Sequence, residues 1–172
     1  DFGKDNYAGV TYNNWRSKRL GVLYQGWMSN WQYANLVPTL KWRSAMTLPR
    51  ELSLYLSQDS IYRIRSKDIT HYKESFIKKV EKENISLNKI TTLLNKDELD
   101  LTKAKIELEI NNMEEVKYTF IVSNNKGDFL TFGYDHKEKQ FFIDRSNSGV
   151  VEFSKNFALK PSIAPVSYTH LT

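Results

Sequence analysis

Alternating apolar and polar positions predict short β-strands in the first third of the chain. Residues 7–12 and 20–27 are rich in β-favouring side chains, and the asparagine pair at 13–14 falls between them, where a hairpin turn would lie. Leucine occupies every second position over 52–56, as in a strand with one buried face. The pattern predicts a sheet of short antiparallel strands.

The rest of the chain divides into a polar segment and a second region of alternation. Residues 57–100 are rich in Lys, Ser, Thr and Asn, and we predict a linker with short strands there because the apolar residues of 71–94 keep no helical period. Isoleucine and leucine alternate with charged residues over 106–110, which predicts a strand with one solvated face. Three further strands are predicted, with turns at 124–127 and 136–139 between them: 116–123, 129–134 and 140–144. Short antiparallel strands at this spacing favour a sandwich sheet.

The composition argues against several classes of function. The 172 residues include 25 basic and 20 acidic side chains, but the two signs are interleaved without a basic block, so we expect a solvated surface and no nucleic acid partner. The absence of cysteine excludes disulfides and thiol chemistry. The three histidines have no ligand spacing, so no metal or cofactor is implied, and the lack of a long apolar run argues against a membrane partner.

Three segments carry distinctive motifs. Residues 1–8 read Asp-Phe-Gly-Lys-Asp-Asn-Tyr-Ala, and residues 26–35 read Gly-Trp-Met-Ser-Asn-Trp-Gln-Tyr-Ala-Asn, continuing through Trp-Arg-Ser-Ala-Met to Leu-Pro-Arg-Glu-Leu at 48–52. Residues 132–135 (Phe-Gly-Tyr-Asp) and 142–149 (Phe-Ile-Asp-Arg-Ser-Asn-Ser-Gly) form the third. The first two segments resemble the fifth propeller blade of family 32 glycoside hydrolases, the β-fructosidases of the levanase, exo-inulinase and invertase branch. The third is similar to that family's C-terminal sandwich.

The resemblance implies an all-β chain, in which the last blade of a five-bladed β-propeller is followed by a partial C-terminal β-sandwich. The expected divisions are the blade at 1–56, a linker with the first sandwich strands at 57–100, and the partial sandwich at 101–166. We expect residues 167–172 to be a non-native tail, because they resemble translated sequencing adaptor, and the whole chain to be a fragment.

The resemblance also implies a retaining hydrolysis of terminal β-fructofuranosides by two carboxylates, one a nucleophile and the other an acid and base. In the family, these and a third acidic group lie in Asn-Asp-Pro, Arg-Asp-Pro and Glu-Cys segments. This chain has no Asp-Pro dipeptide and no cysteine, so we expect no catalytic residue in it and no activity from it alone. Asp5, Glu51 and Asp144 are interpreted as structural, and Asp144 as a turn residue that bonds its own backbone.

What remains of the family's site is one wall of a sugar pocket. Asp1 matches an aspartate that lies near the bound sugar in the family, Lys4 a partner of that aspartate, and Tyr7 the tyrosine of a Phe-Tyr-Ala element. An indole face packs against the C–H face of a sugar, and an amide bonds its hydroxyls. We assign Trp15 and Trp42 to packing. The predicted substrate-binding residues are Asp1, Lys4, Tyr7, Trp27, Asn30 and Trp31.

Two other functions stay open from the sequence. One is a non-catalytic carbohydrate-binding protein with a lectin-like sandwich, and the other is a fructosyltransferase that uses the same pocket with a sugar as acceptor. In each case the partner is a fructan or sucrose. We expect a bacterial protein located outside the cell or in the periplasm.

Overall fold

The computed structural model describes residues 3–13, 21–69, 76–114 and 116–166. Residues up to Asp68 and from Met113 onward belong to one compact unit, and Ile69–Asn112 to another. The described strands form two four-stranded antiparallel sheets, both in the first unit, so the expectation of an all-β chain is confirmed. The predictions made for Asp1, Trp15, His71, His170 and the tail lie outside the described residues, as does part of the turn at 13–14.

The first sheet contains four strands that are neighbours in the same order as in the sequence. They are β1 (Tyr7–Thr11), β2 (Val22–Trp27), β3 (Arg50–Leu56) and β4 (Tyr62–Asp68). Strands β1 to β3 lie where strands were predicted in the first third of the chain. Between β2 and β3 the chain makes a 3₁₀ turn at Ala34–Leu36 and a single bridge between Trp27 and Met46.

Strand β4 lies inside the segment that the sequence pattern marked as polar. All seven of its residues pair with β3, so the first sheet continues beyond residue 56. The connecting turn is closed by a backbone hydrogen bond from Ser57 to Ile61 of 3.0 Å and by an ion pair between Asp59 and Arg63. The hydrophobicity pattern does not reveal this strand, because it contains charged residues and most of its side chains are exposed.

The second sheet contains β5 (Lys117–Ser123), β6 (Phe129–Asp135), β7 (Gln140–Asp144) and β8 (Ser162–Pro165), in that order. Strands β5 to β7 and their two turns agree with the predicted ones. The first turn needs Gly127, whose φ of +88° is strained for other residues. Phe120 and Phe132 stack across β5 and β6 with ring centroids 5.7 Å apart.

The strand predicted over 106–110 is wrong. The described part of the second unit forms no strand, and its named element is a 3₁₀ turn at Leu101–Lys103. Alternation favours a strand only where one face is covered, and Ile106 and Leu108 both stay about half exposed. Within 101–166, the described strands therefore begin at Lys117.

The apolar core of the described residues is small. Large apolar side chains on β3 and β4 stay mostly exposed, and so do several in the loop that connects β2 to β3. The apolar residues that are buried are Leu23, Tyr33, Ala34 and Tyr134. Two of these, Tyr33 and Ala34, lie in the turn after β2, so that turn is the best-packed part of the first sheet's surroundings.

Candidate functional site

Three aromatic side chains cluster at one end of the β1–β2 ladder. Tyr7 and Trp27 are opposite each other in the ladder, and their rings meet edge to face at 6.3 Å. Trp27 meets Trp31 in the same way, with centroids 5.2 Å apart and planes at 63°. Trp31 is 71% exposed and Tyr7 half exposed. We call Tyr7, Trp27 and Trp31 the aromatic platform.

The turn after β2 fixes the direction of Trp31. The side-chain oxygen of Asn30 accepts a hydrogen bond from the backbone N–H of Gln32 at 2.9 Å, which is the usual Asx turn. The backbone oxygen of Asn30 accepts from Ala34 N–H at 3.0 Å. Trp31 lies inside this doubly closed turn, so the turn fixes the backbone from which the indole projects.

The amide of Asn30 is held by residues that precede β1. Its Nδ2 donates to Asp5 Oδ1 at 3.1 Å and to the backbone oxygen of Lys4 at 3.2 Å. Lys4 in turn donates from Nζ to the backbone oxygen of Asn156 at 2.7 Å. Asn30 and Lys4 therefore each link separate segments of the chain.

A second group, the Asp5–Arg145 cluster, lies behind this turn and consists of Asp5, Tyr33, Arg145, Phe153 and Phe157. Arg145 Nη1 pairs with Asp5 Oδ2, Nη2 donates to the Tyr33 hydroxyl at 2.8 Å, and Nε donates to the backbone oxygen of Phe157 at 2.9 Å. The Tyr33 hydroxyl donates to Asp5 Oδ1. The guanidinium carbon lies 3.9 Å from the Phe157 ring centroid, a favourable cation–π distance.

Burial and pairing shift the proton affinities inside this cluster. Burial raises the pKa of the Tyr33 hydroxyl, and its hydrogen bond to Asp5 raises it further. Burial by itself would lower the pKa of Arg145, but the hydrogen bonds to Asp5 and Tyr33 outweigh it and raise that pKa. Both groups are thus held in their protonated forms, as donors to the Asp5 carboxylate.

The loop after β7 is built to present Arg145. Asp144 Oδ1 accepts from the backbone N–H of Ser146 at 2.9 Å, which confirms the interpretation of Asp144 as a turn residue. The Ser148 hydroxyl donates to the backbone oxygen of Arg145 at 2.7 Å, and Gly149 adopts a φ of +112°. The Asp-Arg-Ser-Asn-Ser-Gly motif is therefore a structural turn that aims one cation at the first sheet.

The predicted site residues fall into two groups. Tyr7, Trp27 and Trp31 come together as the platform, while Lys4 and Asn30 lie behind it in hydrogen bonds to the chain. Trp42, assigned to packing, is instead 70% exposed. The described region between β2 and β3 buries few apolar residues, so no core surrounds this indole.

Tyr33 and Arg145 were not predicted as site residues, although both lie in the quoted motifs. Tyr33 is only 2% exposed, and a Tyr whose ring and hydroxyl are both buried needs a polar partner. Among the described residues, no group of three His, Cys, Asp or Glu could hold a metal ion. In that same part of the chain no helix has the length and apolarity of a membrane span.

Comparison with known proteins connects both sheets to one family. The sequence model described as "Glycosyl hydrolases family 32 N-terminal domain" matches residues 1–67, and the one described as "Glycosyl hydrolases family 32 C terminal" matches residues 62–171. The C-terminal model alone covers more than half of the chain. The overlap falls on β4, the last strand of the first sheet.

Individual relatives agree with the family models. The levanase of Bacillus subtilis is 32% identical over 96% of this chain and 24% of its own length. The extracellular exo-inulinase of Meyerozyma guilliermondii is 30% identical over 99% of this chain and 34% of its own length. This chain thus spans about a quarter of the first relative and about a third of the second.

A solved structure shares the fold. The crystal structure of exo-inulinase from Aspergillus awamori superposes with a TM-score of 0.64 over 97% of this chain and 32% of that chain, at 23% identity. The two family models, the relatives and the fold agree, and the chain belongs to glycosyl hydrolase family 32.

Proposed function

We propose that this chain is part of a retaining glycoside hydrolase that cleaves terminal β-fructofuranosides such as levan, inulin or sucrose. We also propose that the first sheet is the last blade of a five-bladed propeller and the second sheet part of a β-sandwich. Membership of the family supports this proposal, as does the chain's similarity to a levanase and an exo-inulinase. A four-stranded antiparallel sheet in sequential order is the usual form of a propeller blade.

The observation that carries the proposal is the aromatic platform. Two exposed rings, Tyr7 and Trp31, flank a half-buried Trp27, so apolar ring faces and edges are available to a ligand. Such faces suit the C–H faces of a sugar. We propose that the platform contacts the fructoside, that Asn30 and Lys4 act mainly by holding it in place, and that Asp1 completes this wall.

The reacting groups of this hydrolase would come from other parts of the protein. Neither an Asp-Pro dipeptide nor a cysteine occurs in the chain, so the acidic segments that the family resemblance implies are not in it. The contribution of this chain is then to bind and orient the sugar, which accelerates the reaction by fixing the reacting geometry.

The test uses the protein encoded by the complete reading frame that contains this chain, assayed for fructose release from levan, inulin and sucrose. Trp31→Ala should raise KM by a factor of about 5–30, equivalent to about 1–2 kcal/mol of lost contact. Trp42→Ala is the matched control, because Trp42 is as exposed as Trp31 but makes no described ring contact with the platform. No fructose release from any substrate would refute the proposal.

The same assay separates the two other candidate functions. Products longer than the substrate would indicate a fructosyltransferase, and binding without turnover would indicate a carbohydrate-binding protein. We further propose a location outside the cell or in the periplasm, which is supported by the similarity to an extracellular exo-inulinase. Recovery of the protein from the cytoplasm alone would contradict that location.

A further inference from the structure

We propose that Arg145, from the second sheet, is a positioning residue for the sugar-binding platform of the first sheet. The inference rests on the proposed function, since it assigns a task to that platform. Arg145 does not touch the platform. It acts through Asp5, which precedes Tyr7 in the chain and accepts a hydrogen bond from Asn30, the neighbour of Trp31.

Asp5 contacts one segment of the platform and closely precedes the other. Asp5 lies two residues before Tyr7, the first residue of β1, and its Oδ1 accepts from Asn30, the residue immediately before Trp31. One carboxylate thus joins the segments that carry the two exposed rings of the platform. A change in its orientation moves Tyr7 and Trp31 relative to each other.

The Asp5 carboxylate depends on Arg145 for its ion pair. The side chain of Asp5 is 18% exposed and that of Arg145 is 27% exposed, so water can replace only part of a lost pairing. Without the guanidinium, Asp5 Oδ2 has no other described partner. Asp5 Oδ1 would keep its bonds from Asn30 and Tyr33, but a partly buried carboxylate without its ion-pair partner gains free energy by turning Oδ2 toward water, and that turn would weaken the bond from Asn30.

The side chain of Arg145 is itself held by several contacts. Its three nitrogen groups donate to Asp5, Tyr33 and the Phe157 backbone, and the Phe157 ring covers the guanidinium. Lysine cannot reproduce this planar fork, because its ammonium is a compact point charge. The Asp144 turn fixes the backbone of Arg145 as well. The second sheet therefore supports the platform through Arg145 and Asp5.

The test is a comparison of Arg145→Met with Lys117→Met in the complete protein. Lys117 is a matched control, because it is a cation of the same sheet that covers an aromatic ring, that of Phe142 at 4.2 Å, away from the cluster. We expect Arg145→Met to raise KM about tenfold with a smaller change in kcat, because sugar binding is weakened by a displaced platform. Lys117→Met should leave both constants near the wild-type values.

A second readout reports on the platform directly. In protein labelled with 5-fluorotryptophan, the fluorine resonance of Trp31, assigned with Trp31→Phe, should shift or broaden in Arg145→Met and stay unchanged in Lys117→Met. Should Arg145→Met fail to fold, Tyr33→Phe serves instead. It removes one hydroxyl from the cluster and keeps the ring, and it should raise KM in the same direction by a smaller factor.

The outcomes separate the two proposals. Absence of fructose release by the wild-type protein would overturn the proposed function, and an unchanged KM in Trp31→Ala would overturn the role of the platform in sugar binding. A wild-type enzyme whose KM responds to Trp31→Ala, but not to Arg145→Met or Tyr33→Phe, would overturn the positioning role alone. An unshifted Trp31 resonance in Arg145→Met would overturn that role as well.

Discussion

Replacement of Arg145 by methionine should loosen the junction between the two sheets far more than replacement of Arg63. Both arginines form an ion pair with an N–O distance of 2.5 Å, to Asp5 and Asp59 respectively. The pairs differ in exposure, since the side chains of the Asp59 pair are 36% and 48% exposed while those of the Asp5 pair are 27% and 18% exposed. Exposed pairs contribute little, because water and salt screen them.

The magnitude for Arg145 follows from its partners. Removal of one member of a buried pair costs about 3–5 kcal/mol, and residual exposure here places the expected cost at the low end, about 3 kcal/mol. Methionine keeps the apolar stem, so little packing is lost. At about 1.4 kcal/mol per factor of ten, local opening should become about a hundredfold more frequent.

Amide hydrogen exchange of the complete protein measures this opening. Exchange should accelerate about a hundredfold in the turn that contains Tyr33 and in the loop around Phe157, under conditions where exchange reports the opening equilibrium. Arg63→Met should leave both segments at the wild-type rate. Equal protection of these segments in the Arg145→Met and wild-type proteins would refute the energetic role assigned to the Asp5–Arg145 pair.

Three further outcomes are expected. Gly133→Ala should destabilise the second sheet, because a Cβ there would overlap the backbone oxygen of Tyr118; a melting temperature equal to that of wild type would contradict this close approach. The pKa of Tyr33 is raised above 10.0, so the protonated hydroxyl stabilises the fold below pH 10, and that stability is lost as pH rises through the raised value. Ultraviolet titration should therefore show one late tyrosine that is missing in Tyr33→Phe, and a wild-type curve identical to the variant's would rule this out. The chain expressed by itself should release no fructose and show no cooperative thermal transition, because large apolar side chains on β3 and β4 stay exposed; a single sharp transition in calorimetry would count against the second expectation.

Much of the strand pattern could be predicted because it depends on local signals. Strands β5 to β7 combine alternation with turn residues such as Asn124 and Gly127, and both signals agree in the structure. Strand β4 escaped prediction because charged residues occupy four of its seven positions, and what identifies it is the pairing with β3. The segment 106–110 is the reverse case: its apolar and charged residues alternate, but no other described element covers the apolar side chains.

For the candidate site, only the segments that carry sequence motifs could be predicted. The segments that contain Tyr7, Trp27 and Trp31 were identified from their sequence motifs, and the structure brings the three rings together. The contact between Asp5 and Arg145 joins residues 140 positions apart, so no local pattern could reveal it. The amide of Asn30 donates to Asp5 and to the backbone oxygen of Lys4, a placement that only the folded chain determines.

The most direct test of the central claim is a crystal structure of the complete protein, made catalytically inactive, with a fructo-oligosaccharide bound. The account predicts a sugar ring within about 4 Å of Trp31 or Trp27, with the Asp5–Arg145 pair intact behind it. A sugar bound elsewhere, with the platform covered by another part of the protein, would contradict it.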